Sequence, residues 1–252
     1  MGEVALVFSG FESGWRTRIK EKAWAKIYAS PLMQGCTRGD IRYVRALLAG
    51  YWNFVERFPE IIEGTFSTIP SDIPGQAETR PNKFLRRAAR ILAGTLESMQ
   101  NDERQHRVLW LKSAAKAGLG YSDLTGWRVL SEVEDISSVI GAANVRTKLL
   151  YFAAVEIVAE GISKCLSESD RFRGIMENEG MRWFDVHLRH PENVTTHEDL
   201  AYQAVERLFQ EEGIEPTEQG IDEDIQVGVD LFIRAAQACA TQFAGSRVPV
   251  SE

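Results

Sequence analysis

Apolar side chains recur at helical spacing along almost the whole chain, and the two-residue alternation typical of β-strands is nearly absent. The pattern predicts helices over about 14–29, 37–58, 82–116, 122–139, 144–166, 170–179, 181–188, 196–212 and 219–243, with a further short helix starting at Pro59 and a turn-rich connection over 69–75. No repeat or inter-domain linker interrupts it. We therefore predict an all-α, single-domain helical bundle over residues 1–252, with frayed ends at 1–12 and 244–252.

Composition excludes several classes of function. The formal net charge of −7, without a dense basic patch, argues against a nucleic-acid surface. No apolar window is long enough for a membrane span, and no signal peptide is evident. Cys36, Cys165 and Cys239 are far apart and lack metal-like spacing, which favours small core residues in a reducing cytoplasm. We expect a cytoplasmic protein with a small-molecule substrate and no nucleic-acid or membrane partner.

The four histidines fall into two short clusters, and the first contains one of them. Glu103 and His106 are three residues apart, so on a helix both side chains can reach one ion. The Glu-x-x-His spacing is typical of carboxylate-bridged di-metal sites in helical proteins. By itself the spacing also fits a solvated turn over 102–106.

A glutamate interrupts the apolar segment 149–158. Glu156 has apolar neighbours nearly all round its predicted helix, so the helix is expected to be buried. A buried, unpaired carboxylate is costly, and a cation shared with His106 would compensate it. Glu160, one turn later, could replace or assist Glu156. The alternative is an ion pair between Glu156 and an arginine such as Arg146.

The second histidine cluster follows the aromatic pair at 183–184. His187 and His197 are expected at the facing ends of two helices, from which both could reach one site. His190 or Glu192 could contribute from the connection. Each histidine taken singly also fits a solvated helix end. Hard carboxylate oxygens with imidazoles are the ligand set of a non-haem di-iron or di-manganese centre.

With these residues in place, the chain resembles the haem-oxygenase-like helical superfamily, which also holds the TenA thiaminases and the PQQ-synthesis oxidase. The resemblance lies in the proline-initiated turn at 31–37, the aromatic helix at 42–58 and the Phe-Pro break that follows. Within the superfamily the chain is most similar to the di-iron oxidases. Those proteins use a Glu and a His on one core helix, a Glu on a later helix, and then a His, an Asp and a His.

The resemblance carries five ligand positions over to this chain: Glu103, His106, Glu156, His187 and His197. The last motif departs from the family pattern, because Pro191 stands where the aspartate should follow His187. A three-residue insertion would put Glu192 in the aspartate's place. Alternatively His190 pairs with His197 at the family spacing, which leaves the second iron one ligand short.

The resemblance implies two Fe(II) ions, O₂ as co-substrate, and a small biosynthetic substrate such as an amino acid or derivative. The expected reaction is C–C cleavage, N-oxygenation or nitrile-type oxidation, with an external reductant and a homodimeric assembly. Arg182 or Arg189 is a candidate for binding a substrate carboxylate, or is simply solvated. The alternatives are a metal-free thiaminase-like hydrolase, a cofactorless oxidase, or a non-catalytic binding protein on the same fold.

Overall fold

The computed structural model describes residues 7–66, 80–188 and 195–242, and every element of regular structure in these ranges is a helix. After a 3₁₀ turn at Val7–Gly10 come twelve α-helices: α1 (Trp15–Ala29), α2 (Pro31–Thr37), α3 (Ile41–Gly50), α4 (Trp52–Phe66), α5 (Arg80–Lys116), α6 (Tyr121–Thr125), α7 (Ser131–Ala142), α8 (Val145–Ser167), α9 (Asp170–Gly180), α10 (Arg182–Val186), α11 (His197–Glu212) and α12 (Glu218–Gln242). The predicted all-α class is confirmed.

Polar caps set several helix starts. The Ser30 hydroxyl accepts a hydrogen bond from the Met33 amide, and Pro31 occupies the first position of α2. The Asp40 carboxylate accepts from the Arg42 amide at the start of α3. Asn144 caps α8 in the same way. These caps explain why helices begin close to the positions that the sequence pattern predicts.

Several boundaries differ from the prediction. The predicted helix over 37–58 is two helices, α3 and α4, which are divided at Tyr51, and α2 was not predicted. Pro59 does not start a helix but lies inside α4. Proline removes one helical N–H, yet its φ fits a helix, and the adjacent buried Phe58 and nearby Ile62 hold α4 against the core. The predicted helix over 122–139 is two helices, because α6 ends at Thr125 and α7 begins only at Ser131. The connection predicted at 69–75 lies outside the described residues.

Helix α8 lies at the centre of the bundle, where it packs against α1, α10, α11 and α12. Its contact with α1 is close: a β-carbon added to Gly161 would lie 2.5 Å from Cδ1 of Trp24. The indole Nε1 of Trp24 donates a hydrogen bond to the Ile157 carbonyl at 3.1 Å. Of the cysteines, Cys36 and Cys239 are buried and Cys165 is half-buried. No described helix is both long and apolar enough to cross a membrane.

Candidate metal centre

Four helices bring the five predicted ligands together. Glu103 and His106 come from α5, Glu156 from α8, His187 directly follows α10, and His197 is the first residue of α11. Ligand atoms of Glu103, Glu156 and His197 all lie within 4.8 Å of one another. The ring centroid of His106 lies 4.7 Å from that of His187 and 6.0 Å from that of His197. These five residues are the histidine–carboxylate cluster.

The two carboxylates of the cluster face imidazole nitrogens. Oε1 of Glu103 lies 3.0 Å from Nδ1 of His106 and 3.6 Å from Nδ1 of His197. Oε1 of Glu156 lies 3.3 Å from the same nitrogen of His197. Arg146, the alternative partner for Glu156, instead places its guanidinium over the ring of Phe209. The charge on Glu156 is therefore met by histidine.

Electrostatics show that this cluster attracts positive charge. Burial opposes ionisation of Glu103, but the imidazoles of His106 and His197 outweigh it and hold the pKa of that carboxyl well below its usual range. Burial would lower the pKa of His197, yet the carboxylates of Glu103 and Glu156 raise it to about 11. The pKa of His106 is raised by Glu103 in the same way, against the effect of burial. In the metal-free protein, protons on imidazole supply the charge that a cation would otherwise bring.

His187 differs from the other two histidines because it is neutral. Burial, with the charge of nearby His106, lowers the pKa of its imidazole. Nδ1 lies 2.7 Å from the carbonyl oxygen of Trp183, which can only accept, so Nδ1 carries the proton. The lone pair is then on Nε2. A metal-binding histidine commonly has this form, in which one ring nitrogen donates to a backbone carbonyl and leaves the other for the metal.

The remaining predicted residues lie in different places. Glu160 is outside the cluster and accepts a hydrogen bond from Nζ of Lys20 at 2.8 Å, which disfavours it as a ligand. Arg182 lines a separate cavity between α9 and α10 and does not line the cavities beside the cluster. His190, Glu192 and Arg189 lie outside the described residues.

Two residues near the cluster were missed by sequence reasoning. Oδ2 of Asp102 lies 3.0 Å from Nε2 of His197. Nζ of Lys20 lies 2.6 Å from Oε2 of Glu198, the residue after His197. Asp102 sits in a run of charged residues that looks solvated, and Lys20 is far from the cluster in sequence. No local sequence signal indicates either contact, because Lys20 and Asp102 reach the start of α11 only when α1 and α5 pack against it.

Cavities of opposite character lie beside the cluster. One, of about 210 Å³, is the polar cavity, so named because most of its lining residues are charged or polar, among them Asp102, Glu160, Thr195, Thr196 and Glu198. The other, of about 50 Å³, is the apolar chamber, whose aromatic lining residues are Tyr51, Phe54, Phe58, Trp110, Trp183 and Phe232. Glu156 and His187 line both cavities. The cluster therefore stands between a polar space and an apolar one.

Two polar groups in the chamber wall are hydrogen-bonded within the protein. The hydroxyl of Tyr51 donates to the Phe232 carbonyl at 2.6 Å. Nε1 of Trp110 donates to the Leu48 carbonyl at 2.9 Å. Because these donors are engaged, the chamber favours an uncharged, apolar group.

This architecture is similar to that of solved structures. A TenA homologue from Pseudomonas syringae pv. tomato str. DC3000 matches with a TM-score of 0.68 and 16% identity over 96% of this chain and 98% of that one. A domain of unknown function with a haem-oxygenase-like fold from Shewanella denitrificans OS217 matches with a TM-score of 0.61 and 14% identity over 93% of this chain and 97% of that one. The chain has the haem-oxygenase-like fold.

A TenA homologue from P. horikoshii OT3 also matches this chain. Its TM-score is 0.56 and its identity 13%, over 93% of this chain and 98% of that one. No family model matches the chain, and no curated protein matches it. The resemblance to the haem-oxygenase-like superfamily is thus confirmed at the level of the fold, and the chemistry has to be argued from the cluster.

Proposed function

We propose that this protein is a non-haem di-iron oxidoreductase that uses O₂. The supporting observation is that ligand atoms of Glu103, Glu156 and His197 lie within 4.8 Å of one another. The imidazole rings of His106 and His187 lie beside this group. Oxygen and nitrogen donors of this kind suit Fe(II). We assign the metal ligands, which are also the residues that carry catalysis, as Glu103, His106, Glu156, His187 and His197. A sixth ligand, Glu192 or alternatively His190, would complete the set from outside the described residues.

When bound, the iron would supply the activation of O₂ and the redox chemistry. The chain's own residues hold the donors in place and exclude water. His187 is ready to bind, because it is neutral and its Nδ1–H is held by the Trp183 carbonyl. The carboxylates of Glu103 and Glu156 would neutralise part of the metal charge, and binding would release the proton now held by His197.

For the substrate we propose an amino acid or derivative with an apolar side chain. The side chain would occupy the apolar chamber, in which the donors of Tyr51 and Trp110 are engaged, and the polar end would face the polar cavity. Reduction of O₂ to water takes four electrons; a two-electron oxidation of the substrate supplies half, and an external reductant supplies the rest. C–C cleavage and N-oxygenation fit this balance. Oxidation of an amine to a nitrile removes four electrons from the substrate, so that reaction would reduce one O₂ to water without an external reductant. We further propose that the protein works as a cytoplasmic homodimer.

The similarity to TenA homologues makes a metal-free hydrolase the second candidate. The cysteines disfavour a version that uses a thiolate nucleophile. Burial raises the pKa of the Cys165 thiol to about 11 and that of Cys239 to about 12, and it raises the pKa of Cys36 strongly as well. Among the described residues that line the cavities beside the cluster, none is a cysteine.

The experiment is an anaerobic titration of metal-free protein with Fe(II), followed by addition of O₂ while oxygen consumption and the visible spectrum are recorded. We expect about two irons per chain, as in other helical di-iron proteins. His106→Ala and Glu156→Ala should each lose tight iron and oxygen consumption. Glu134→Ala, an exposed carboxylate on α7, is the matched control and should behave like the wild type.

Each outcome points to a different conclusion. Uptake of two irons that is lost in both cluster variants supports the oxidoreductase. Uptake of one iron would show that the last ligand motif is incomplete. Absence of tight iron from the wild type would exclude the di-iron function and favour the metal-free hydrolase.

A further inference from the structure

His197 lies between an inner pair of carboxylates and an outer one. Its Nδ1 faces Glu156 at 3.3 Å and Glu103 at 3.6 Å, whereas its Nε2 faces Oδ2 of Asp102 at 3.0 Å. A histidine can bind a metal through only one ring nitrogen while the other donates its proton. The nitrogen that binds the metal is determined by the hydrogen bond that the other nitrogen donates.

Asp102 and Glu103 are neighbours on α5 but occupy different positions relative to the cluster. Consecutive residues on a helix point about 100° apart. The side chain of Asp102 is 47% exposed and that of Glu103 is 13% exposed. Asp102 lines the polar cavity, and Glu103 lines the apolar chamber. Asp102 thus approaches the His197 ring from the solvent side, away from the carboxylates where a metal would be held.

The backbone of His197 is fixed, but its ring requires a partner to orient it. The Thr196 hydroxyl accepts from the Asp199 amide at 3.0 Å, and the Asp199 carboxylate accepts from the Thr196 amide at 3.2 Å. This capping box sets where α11 starts without restraining the imidazole. His187 obtains its restraint from the Trp183 carbonyl, one helical turn earlier. His197 is the first residue of its helix and has no preceding turn, so its acceptor comes from α5.

We propose that Asp102 is a positioning residue that accepts the Nε2–H of His197 and thereby presents Nδ1 to the metal. This inference rests on the proposed function. The carboxylate would also make the imidazole a more basic ligand, as partners of metal-bound histidines do. The sequence offers no motif for this role, because Asp102 and His197 meet only when α5 and α11 pack together.

The test uses Co(II) as a spectroscopic probe added to metal-free, full-length protein. The variants are Asp102→Ala, which removes the acceptor, and Asp102→Asn, which keeps an acceptor oxygen without the charge. Glu97→Ala, an exposed carboxylate earlier on α5, is the matched control. We expect the Co(II) dissociation constant to rise by about 10- to 100-fold in Asp102→Ala, as for lost partners of other metal-bound histidines. The dissociation constant should rise less in Asp102→Asn, and it should not change in Glu97→Ala.

A second readout follows the ring itself. In Zn(II)-loaded wild type, ¹⁵N spectra of the histidines should show His197 protonated at Nε2 and bound through Nδ1. In Asp102→Ala this single form should be lost. Binding through Nε2, or an unchanged Co(II) affinity in Asp102→Ala, would overturn the role of Asp102 while the proposed function stands. A wild type that takes up neither metal would overturn both.

Discussion

Nζ of Lys20 lies 2.6 Å from a carboxylate oxygen of Glu198 and 2.8 Å from one of Glu160, so a single ammonium on α1 joins the start of α11 to the middle of α8. All three side chains are largely shielded from solvent. Burial raises the pKa of Glu198 to about 7 even though Lys20 opposes that shift. The group is therefore a shielded ion triad in which the lysine is shared.

Lys20→Met should destabilise the protein by about 3–5 kcal/mol, because removal of one partner leaves shielded carboxylates uncompensated. Urea unfolding gives the measurement. Lys22→Met on the same helix is the matched control, since its ion pair with Asp222 is more exposed and should contribute about 0–1 kcal/mol. Equal costs for the two variants would show that the Lys20 triad is no stronger than a surface pair.

The stability of the metal-free protein should fall as the pH rises. The pKa of His197 is about 11 in the folded state, against a usual value of 6.5. The folded state therefore holds more protons than the unfolded state between these values, and the stabilisation, complete below the lower one, is lost towards the upper one. Urea midpoints in the presence of a chelator, taken from about pH 6 to about pH 10, provide the test.

The matched variant for this pH effect is His197→Gln, which should show a smaller decline because the shifted group is gone. Bound Zn(II) should also reduce the decline, since the metal replaces the protons. A wild type and a His197→Gln variant with the same pH profile would contradict the assigned pKa shift of His197.

Two glycine-to-alanine substitutions should have opposite effects on the free energy of unfolding. Gly161→Ala would place a β-carbon 2.5 Å from Cδ1 of Trp24, so we expect a loss of about 1–3 kcal/mol from overpacking between α1 and α8. Gly174→Ala, exposed on α9 with nothing within 4 Å of the added carbon, should gain about 0.5–1 kcal/mol. Thermal or urea unfolding of both variants checks this, and a neutral Gly161→Ala would show that the two helices can move apart at little cost.

The apolar chamber should bind xenon, an uncharged probe, in metal-free protein. Ala159→Val adds two carbons in its wall and should reduce xenon binding measured by ¹²⁹Xe NMR, without reducing metal uptake. Ala115→Val, on the exposed face of α5, is the control. Undiminished xenon binding in Ala159→Val would place the bound gas elsewhere and weaken the argument for an apolar substrate group.

Most of the helical framework could be predicted from the sequence because caps such as Asn144 and Thr196 act locally. The prediction of a helix start at Pro59 was wrong, since burial of its neighbours outweighs one missing hydrogen bond. The convergence of Glu103, Glu156 and His197 was also predicted, from the Glu-x-x-His spacing, a carboxylate in an apolar segment, and the family resemblance. The metal-ligand role itself stays a prediction.

The outer partners of the cluster could not be predicted from local patterns. Lys20 reaches Glu160 across 140 residues, and Asp102 reaches His197 across 95. Such contacts depend on how helices pack, and a charged residue on a helix looks solvated until its neighbours are known. Glu160 is an example. Its spacing from Glu156 suggested a metal ligand, but Lys20 on α1 donates a hydrogen bond to it instead.

The ring of Trp183 lies 4.2 Å from that of His187, and its carbonyl holds the same histidine. The ring centroid of Trp110 in turn lies 4.7 Å from that of Trp183. The indole of Trp183 therefore contacts a candidate ligand directly, and that of Trp110 is separated from it by one ring. A paramagnetic ion at the cluster would quench their fluorescence, so the protein carries an intrinsic optical reporter of its own occupancy, readable without any label.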